Sequence, residues 1–381
     1  MLGNKNETKL KILTINLGST STKLAYFEDE KEVARYDVAI SADTIAQCTD
    51  VMEQLPIRIE MVNKFIKESN ISICDLDIIV TRGGTINGVQ SGAYKVDNHV
   101  IAIHRYAARS NMPSTLAAII GFELAKPYNI PVIFYDAPSA DDADDIMHYT
   151  GIPEVKRFVT SHCLNGRFVA QKHAKKMGKA YDKCRFIVCH LGGGITISFH
   201  KEGRIIDSVL DDAGPMSPQR AGRLPTTGLI DLCYSGEYKK EEMKLKVRGK
   251  SGLAAYLGTQ DLRQIEKMIE DGDKKAEELL WYMGYQIAKG IGEMSVADKG
   301  RLDGIIITGG MAHSRRLVKI IEDYVSFIAP VSVYPGEEEM QALAMGGLRV
   351  LRGEETPKKY RWLPDGFSTL EEFLEEKIGK R

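Results

Sequence analysis

The chain has 381 residues, room for two domains at roughly one per ~150 residues. Apolar residues make up 43% and charged residues 27%, which excludes a disordered chain, a collagen-like repeat and a coiled-coil rod. Lysine plus arginine total 51 against 52 aspartates plus glutamates, a formal charge of −1, so the broad basic footprint of a nucleic-acid binder is absent.

The six cysteines include no C-x-x-C pair, which fits neither a disulfide scaffold nor a zinc ribbon and points to reduced thiols in a cytoplasm. The N-terminal MLGNKNETKLK runs directly into a short apolar strand, and no run of about 18 apolar residues occurs anywhere. The expectation is a cytoplasmic protein that is neither exported nor membrane-spanning.

In chain order, KILTINLG from Lys11, STKLAYFE from Ser21 and EVARYDVA from Glu32 read as a three-stranded antiparallel meander. An apolar-periodic helix follows, carried by Ile45, Met52, Leu55, Ile59, Val62, Phe65 and Ile66. Then come a strand near 76–81, a helix near 113–126 and a strand near 131–136, completing βββαβαβ. After a helix near 163–177 the order repeats. RFIVCHLGGG, ITISFHKEG and RIIDSVL form a second meander, with a long helix near 273–298. GIIITGG then reads as a buried strand, FIAPVSVY as another, and a helix begins near Glu337. A short helical tail spans Leu370 to Lys377.

Laying Asn16-Leu17-Gly18 on His190-Leu191-Gly192 gives a constant shift of 174 residues, the mark of a duplicated domain. The chain has 35 glycines where average usage of ~7% gives about 27, and the surplus clusters at Gly83-Gly84, Gly192-Gly193-Gly194, Gly309-Gly310 and Gly346-Gly347. A tight glycine turn between two strands presents backbone N–H groups to an anion. One such turn alone reads as an ordinary hairpin; two at equivalent positions of a duplication read as phosphate turns.

Other signatures fail. Gly249-Lys250-Ser251 lacks the upstream glycine and buried strand of a P-loop, with Lys244 where the glycine belongs, and HLGGG leads into a strand where a dinucleotide turn opens a helix. The run Asp141-Asp142-Ala143-Asp144-Asp145 lacks calcium-loop spacing and reads as a solvated face. Met283, Ile287, Ile291 and Met294 read as helix core.

Asn16-Leu17-Gly18-Ser19-Thr20-Ser21-Thr22-Lys23, His190-Leu191-Gly192-Gly193-Gly194, Ile307-Thr308-Gly309-Gly310 and the C-terminal Pro335-Gly336-Glu337-Glu338-Glu339-Met340-Gln341-Ala342-Leu343-Ala344 together resemble the acetate and butyrate kinases. The likeness runs from Asn16 to about Arg352 and is closest to the butyrate kinases. It implies an α/β fold of two duplicated βββαβαβα, ribonuclease H-like domains of the sugar kinase, Hsp70 and actin group, with an ATP cleft between them. The expected domains are 1–156 with 340–381, and 157–339.

The resemblance implies reversible transfer of the ATP γ-phosphoryl to a short-chain fatty carboxylate with ATP/ADP and Mg²⁺, in a homodimer or higher homo-oligomer with no nucleic-acid or membrane partner. The alternatives are another phosphotransferase of the fold, such as an acetate, propionate or sugar kinase or a polyphosphatase, and a non-catalytic ATP switch.

It further implies Arg82, Asp136, His162 and Arg220 as catalytic residues. Asn16, Gly18, Ser19, Ser21, Lys23, His190, Gly192, Gly193, Gly194, Gly309 and Gly310 are implied as nucleotide-binding, and Asn16, Asp136 and Glu338 as metal-associated, with Glu339 the competing glutamate. Without it, Arg220 would read as a solvated loop residue, His162 as a helix cap and the glutamates as favouring a helix dipole. Where acetate kinases carry a histidine ahead of P-x-N-L, this chain has Asn111-Met112-Pro113-Ser114, which disfavours acetate.

Overall fold

A computed structural model describes residues 9–19, 21–41, 45, 47–210 and 213–379. The chain divides into two compact units. One comprises the residues up to Asp141 together with those from Glu338 onward, and the other spans Asp142–Glu337.

The first unit is built on a six-stranded sheet of β1 (Lys11–Leu17), β2 (Ser21–Glu28), β3 (Lys31–Ala39), β4 (Ile78–Arg82), β5 (Ala93–Lys95) and β6 (Val132–Tyr135), in the order β3-β2-β1-β4-β6-β5. The second carries β7 (Arg185–Leu191), β8 (Ile195–Lys201), β9 (Arg204–Val209), β10 (Gly304–Gly309) and β11 (Val331–Pro335), in the order β11-β10-β7-β8-β9. In both, an antiparallel meander continues through its first strand into parallel partners, β1 to β4 and β7 to β10. Leaving aside the edge strand β5, the two sheets are the same sheet repeated. β1 and β7 share one burial pattern, six consecutive buried residues after a half-buried first, as central strands covered on both faces require. β3, at an edge, alternates exposed and half-buried positions.

Helix packing fixes where the strand ends lie. Ser114–Ala125 is buried along most of its length, and a Cβ at Gly121 would stand 2.8 Å from Thr81 Cγ2. In Glu339–Leu351, Gly346 and Gly347 allow close packing: a Cβ at either would come within 2.7 Å of Tyr135 or Val80. That close approach seats the helix on β4 and β6 and carries its first residue, Glu339, to the ends of β1 and β4. In the second unit Met283, Ile287, Ile291 and Met294 line the buried face of Lys274–Ser295.

Several elements differ from expectation. The helix read from Ile45 begins at Leu55, after a 3-10 turn, Val51–Gln54, whose N-cap Asp50 accepts from Met52 N; Pro56 then sets the first α-turn. Residues 42–44 and 46 lie outside the described residues. The strand read over FIAPVSVY starts only at Val331, and Phe327 is exposed. β5 and the helix Asn98–Tyr106 are an addition the first unit does not share with the second. In the acidic run, Asp142 is buried and accepts from Ile205 N, so only its neighbours form a solvated face.

All six cysteines are unbridged, and no described helix is long and apolar enough to cross a membrane.

Two wholly buried histidines make stability pH-dependent. Burial lowers His104 from 6.5 to about 4 and His200 to about 3, where Arg167 adds to the effect. The unfolded chain takes up these protons near pH 6.5 and the folded chain does not, so stability falls as pH drops below about 6.5. Between pH 6.5 and 5.5, above the range of ordinary carboxylates, the loss is ~1 kcal/mol for each histidine. Denaturant midpoints across that interval check this; a flat profile would contradict it.

Candidate active site

In the first unit the site residues converge on one carboxylate. Glu339 opens its helix and points both oxygens at strand ends: Oε1 accepts from Arg82 NH1 at 2.7 Å and Oε2 from Asn16 Nδ2 at 2.7 Å. Arg82 ends β4 and Asn16 is next to last on β1, and these strands are parallel neighbours. Both residues keep an unused polar atom: Asn16 Oδ1 and Arg82 Nε are buried with no hydrogen-bond partner. Buried polar atoms are almost always satisfied, so two orphans beside one carboxylate mark a place for a ligand. Glu338 is the glutamate expected here. Glu338 is the helix N-cap, its carbonyl accepting from Ala342 N, and the carboxylate that reaches Asn16 and Arg82 belongs to Glu339.

Asp136 directly follows β6 and is held in the left-handed region at φ 43. Of six described non-glycine residues with positive φ, it alone is buried, at 2% exposure; the others lie on turns and helix ends. Gly92 N donates to its Oδ1 at 2.6 Å, and its own N–H donates to Gly92 O at 3.2 Å. Strain at a buried strand end persists only where the surroundings enforce it and is typical of functional positions. Glu355 anchors the Gly92 segment, accepting from Ala93 N and Tyr135 Oη, while Arg349 donates to Tyr135 Oη.

The turn after β1 closes through Gly18 N donating to Ser21 O. Ser19 is exposed, Ser21 and Lys23 are half-buried, and Lys23 stands opposite Asn16 in the β1–β2 register. Thr20 lies outside the described residues.

In the second unit, His162 precedes the helix Cys163–Lys176 but does not cap it with its side chain. Its Nδ1 lies 3.0 Å from Thr196 Oγ1, and its ring stacks on His190 with centroids 3.9 Å apart at 7°. His190 is oriented by a hydrogen-bond chain: Thr308 Oγ1 donates to Gly336 O and accepts from Asn165 Nδ2, which also donates to His190 Nδ1. His190 Nε2 is buried without a hydrogen-bond partner and lies 3.3 Å from Glu337 Oε1. Asn16 and His190, equivalent in the duplication, thus each keep one unused polar atom.

The Gly192-Gly193-Gly194 turn closes by Gly192 N donating to Gly194 O, and Gly193 O accepts from Ser217 Oγ at 2.5 Å. This staples the turn to the loop carrying Arg220, where Ser217 N donates to Arg220 O. Gly249-Lys250-Ser251, rejected as a P-loop, leads into the far side of the staple: Leu253 N and Ala254 N donate to Ser217 O and Pro218 O. A Cβ on Gly252 would lie 1.8 Å from Ser217 O, so no other residue fits there. Gly309, at φ +91 with Leu191 O 2.4 Å from an added Cβ, is equally obligatory, whereas nothing stands within 4 Å of one on Gly310.

Within the first unit, Asn16, Arg82 and Glu339 are brought into contact; within the second, His162 and His190. Asn165 and Thr196 carry no motif in the sequence and Thr308 stands there only within a longer one; all three are buried polar residues, and burial is what marks them.

A sequence profile described as the acetokinase family matches residues 148–354, more than half the chain. The chain is 46% identical over 351 residues to "Probable butyrate kinase 2" of Caldanaerobacter subterraneus subsp. tengcongensis, covering 92% of this chain and 99% of that protein. It is 39% identical over 355 residues to "Butyrate kinase 2" of Clostridium acetobutylicum, covering 93% of this chain and 100% of the relative. The crystal structure of Porphyromonas gingivalis acetate kinase superposes with a TM-score of 0.73 at 20% identity, over 90% of this chain and 100% of that one, and shares the fold. The chain belongs to the acetokinase family.

Proposed function

We propose that the protein transfers the γ-phosphoryl of ATP reversibly to a short-chain fatty carboxylate, butyrate or a branched relative, giving an acyl phosphate and ADP. The relatives that support butyrate bear the name butyrate kinase and match nearly end to end. The observation that carries the reading is the Glu339 bridge between Arg82 and Asn16, with one buried polar atom unused on each side. We take the two compact units as its domains, and six unbridged thiols support a reducing cytoplasm.

The acceptor carboxylate is ionised at neutral pH, so no general base is needed and catalysis rests on placement and charge neutralisation. Arg82, Arg220 and His162 are assigned to the oxygens of the transferring phosphoryl. The 16–23 and 190–194 turns bind phosphate, with His190 Nε2 as a further donor, and the Gly309-Gly310 segment lies toward adenosine. The Gly92 N–H, donating to Oδ1, fixes the position of the Asp136 carboxyl at the end of β6.

Among the described residues no three histidine, cysteine or acidic side chains converge as a metal cage. Mg²⁺ asks for less, commonly one or two carboxylates beside water and substrate phosphate. The orphaned Asn16 Oδ1 and the carboxylates of Glu339 and Asp136 are oxygen donors of that kind and would hold it, with Glu339 replacing Glu338 in that role. Bound there, Mg²⁺ would neutralise phosphate charge.

ADP release measured with acetate, propionate, butyrate and isobutyrate tests the substrate class. Butyrate or isobutyrate should give the highest kcat/KM; stimulation by a sugar and by none of these acids would overturn the reading.

A further inference from the structure

Arg58 lies on the buried face of the helix Leu55–Glu68, in helical register with Val62 and Phe65, and is 0% exposed. Every N–H of its guanidinium is engaged. Nε and NH2 donate to Gln54 Oε1 at 3.1 and 2.9 Å, NH2 also to Gly18 O at 3.0 Å, and NH1 to Ser21 O at 3.2 Å and Thr22 Oγ1 at 3.4 Å. None of these acceptors is a carboxylate. Burial lowers the guanidinium from 12.5 to about 10, which leaves it charged at neutral pH.

A buried cation without an anion is costly, and bracing two carbonyls does not require a charge. Those carbonyls belong to the turn between β1 and β2. In a planar trans peptide the C=O and the following N–H point opposite ways, so holding Gly18 O against Arg58 aims Ser19 N–H away from it. The arrangement places a fixed positive charge behind a turn that presents a donor in front.

We infer that Arg58 is a positioning residue of this turn whose charge, paired with no carboxylate among the described residues, is completed by a phosphoryl anion bound on the turn's outer side. The inference rests on the turn's reading as a phosphate turn. It assigns the turn's affinity for anions partly to a side chain that never touches the substrate.

The test compares Arg58→Lys, which keeps the charge and loses the fork, with Arg58→Gln, which keeps donors and loses the charge. Thermal midpoints, kcat and KM for ATP are measured for both. The expected result is a loss of about 100-fold in kcat/KM for Arg58→Gln. Arg58→Lys should stay within about tenfold of wild type, although both variants lose thermal stability. Equal kinetic losses, or Arg58→Gln at wild-type rates, would overturn the inference. Should Arg58→Gln not fold, Arg58→Lys decides alone: a loss of more than about tenfold overturns the charge role, and a smaller one sustains it. Wild type that forms no acyl phosphate would sink the functional reading; active wild type with both variants equal sinks only the role of Arg58.

Discussion

Replacing Arg220 with alanine is expected to lower kcat by about 1,000-fold while leaving the folded protein intact. An arginine set against the oxygens of a transferring phosphoryl contributes on that scale. The fold survives because the loop is held by its backbone: Arg220 O accepts from Ser217 N, Leu253 N and Ala254 N donate to Ser217 O and Pro218 O, and Ser217 Oγ donates to Gly193 O. Lysine at 220 should recover little, since an ammonium lacks the planar fork that spans two oxygens. Steady-state kinetics with far-UV circular dichroism checks this; a folded Arg220→Ala enzyme turning over within tenfold of wild type would remove Arg220 from the site.

The second large effect belongs to Glu339. Glu339→Gln keeps the size and one acceptor but removes the charge shared by Arg82 and Asn16, and with it the carboxylate assigned to Mg²⁺. Apparent Mg²⁺ affinity and kcat/KM should each fall by about 100-fold. Glu338→Gln, at the N-cap, should change either by less than about threefold. Titrating activity against Mg²⁺ for both variants separates the two glutamates, and the reverse order of effects would return the role to Glu338. The Arg82–Glu339 pair is mostly buried, so Glu339→Gln also leaves a half-buried guanidinium with a weakened partner and should lower thermal stability by ~1–3 kcal/mol.

The duplication was legible because it is written in strand spacing. β1 and β7 begin at Lys11 and Arg185, end at Leu17 and Leu191, and carry the same continuous burial that apolar runs announce. What escaped had weaker signals. β5 is only Ala93–Lys95, too short for alternation to show, and the helix Asn98–Tyr106 follows it directly. The helix start at Leu55 was hidden because apolar periodicity continues upstream through Met52, and only the Asp50 cap and Pro56 mark the change from 3-10 to α.

In the site, glycine and strand-end positions could be read along the chain, whereas side-chain partners could not. Glu338 and Glu339 differ by about a hundred degrees of helix, and which one faces Asn16 depends on where the helix is seated by Gly346 and Gly347. Asn165 reaches His190 and Thr308 only once the helix Cys163–Lys176 packs on β7 and β10. Arg58 stands in register with Val62 and Phe65 and was not singled out, because its partners at Gly18 and Ser21 lie far back in sequence.

The expected product is an acyl phosphate made at the carboxylate of a short-chain acid. Incubation of the protein with ATP, Mg²⁺, butyrate and hydroxylamine tests it most directly, because hydroxylamine converts an acyl phosphate to a hydroxamate and leaves a sugar phosphate untouched. Butyryl hydroxamate is expected in equal amount to the ADP released, with none from Arg220→Ala on the same timescale. ADP released without hydroxamate, or no ADP with any short-chain acid, would contradict it.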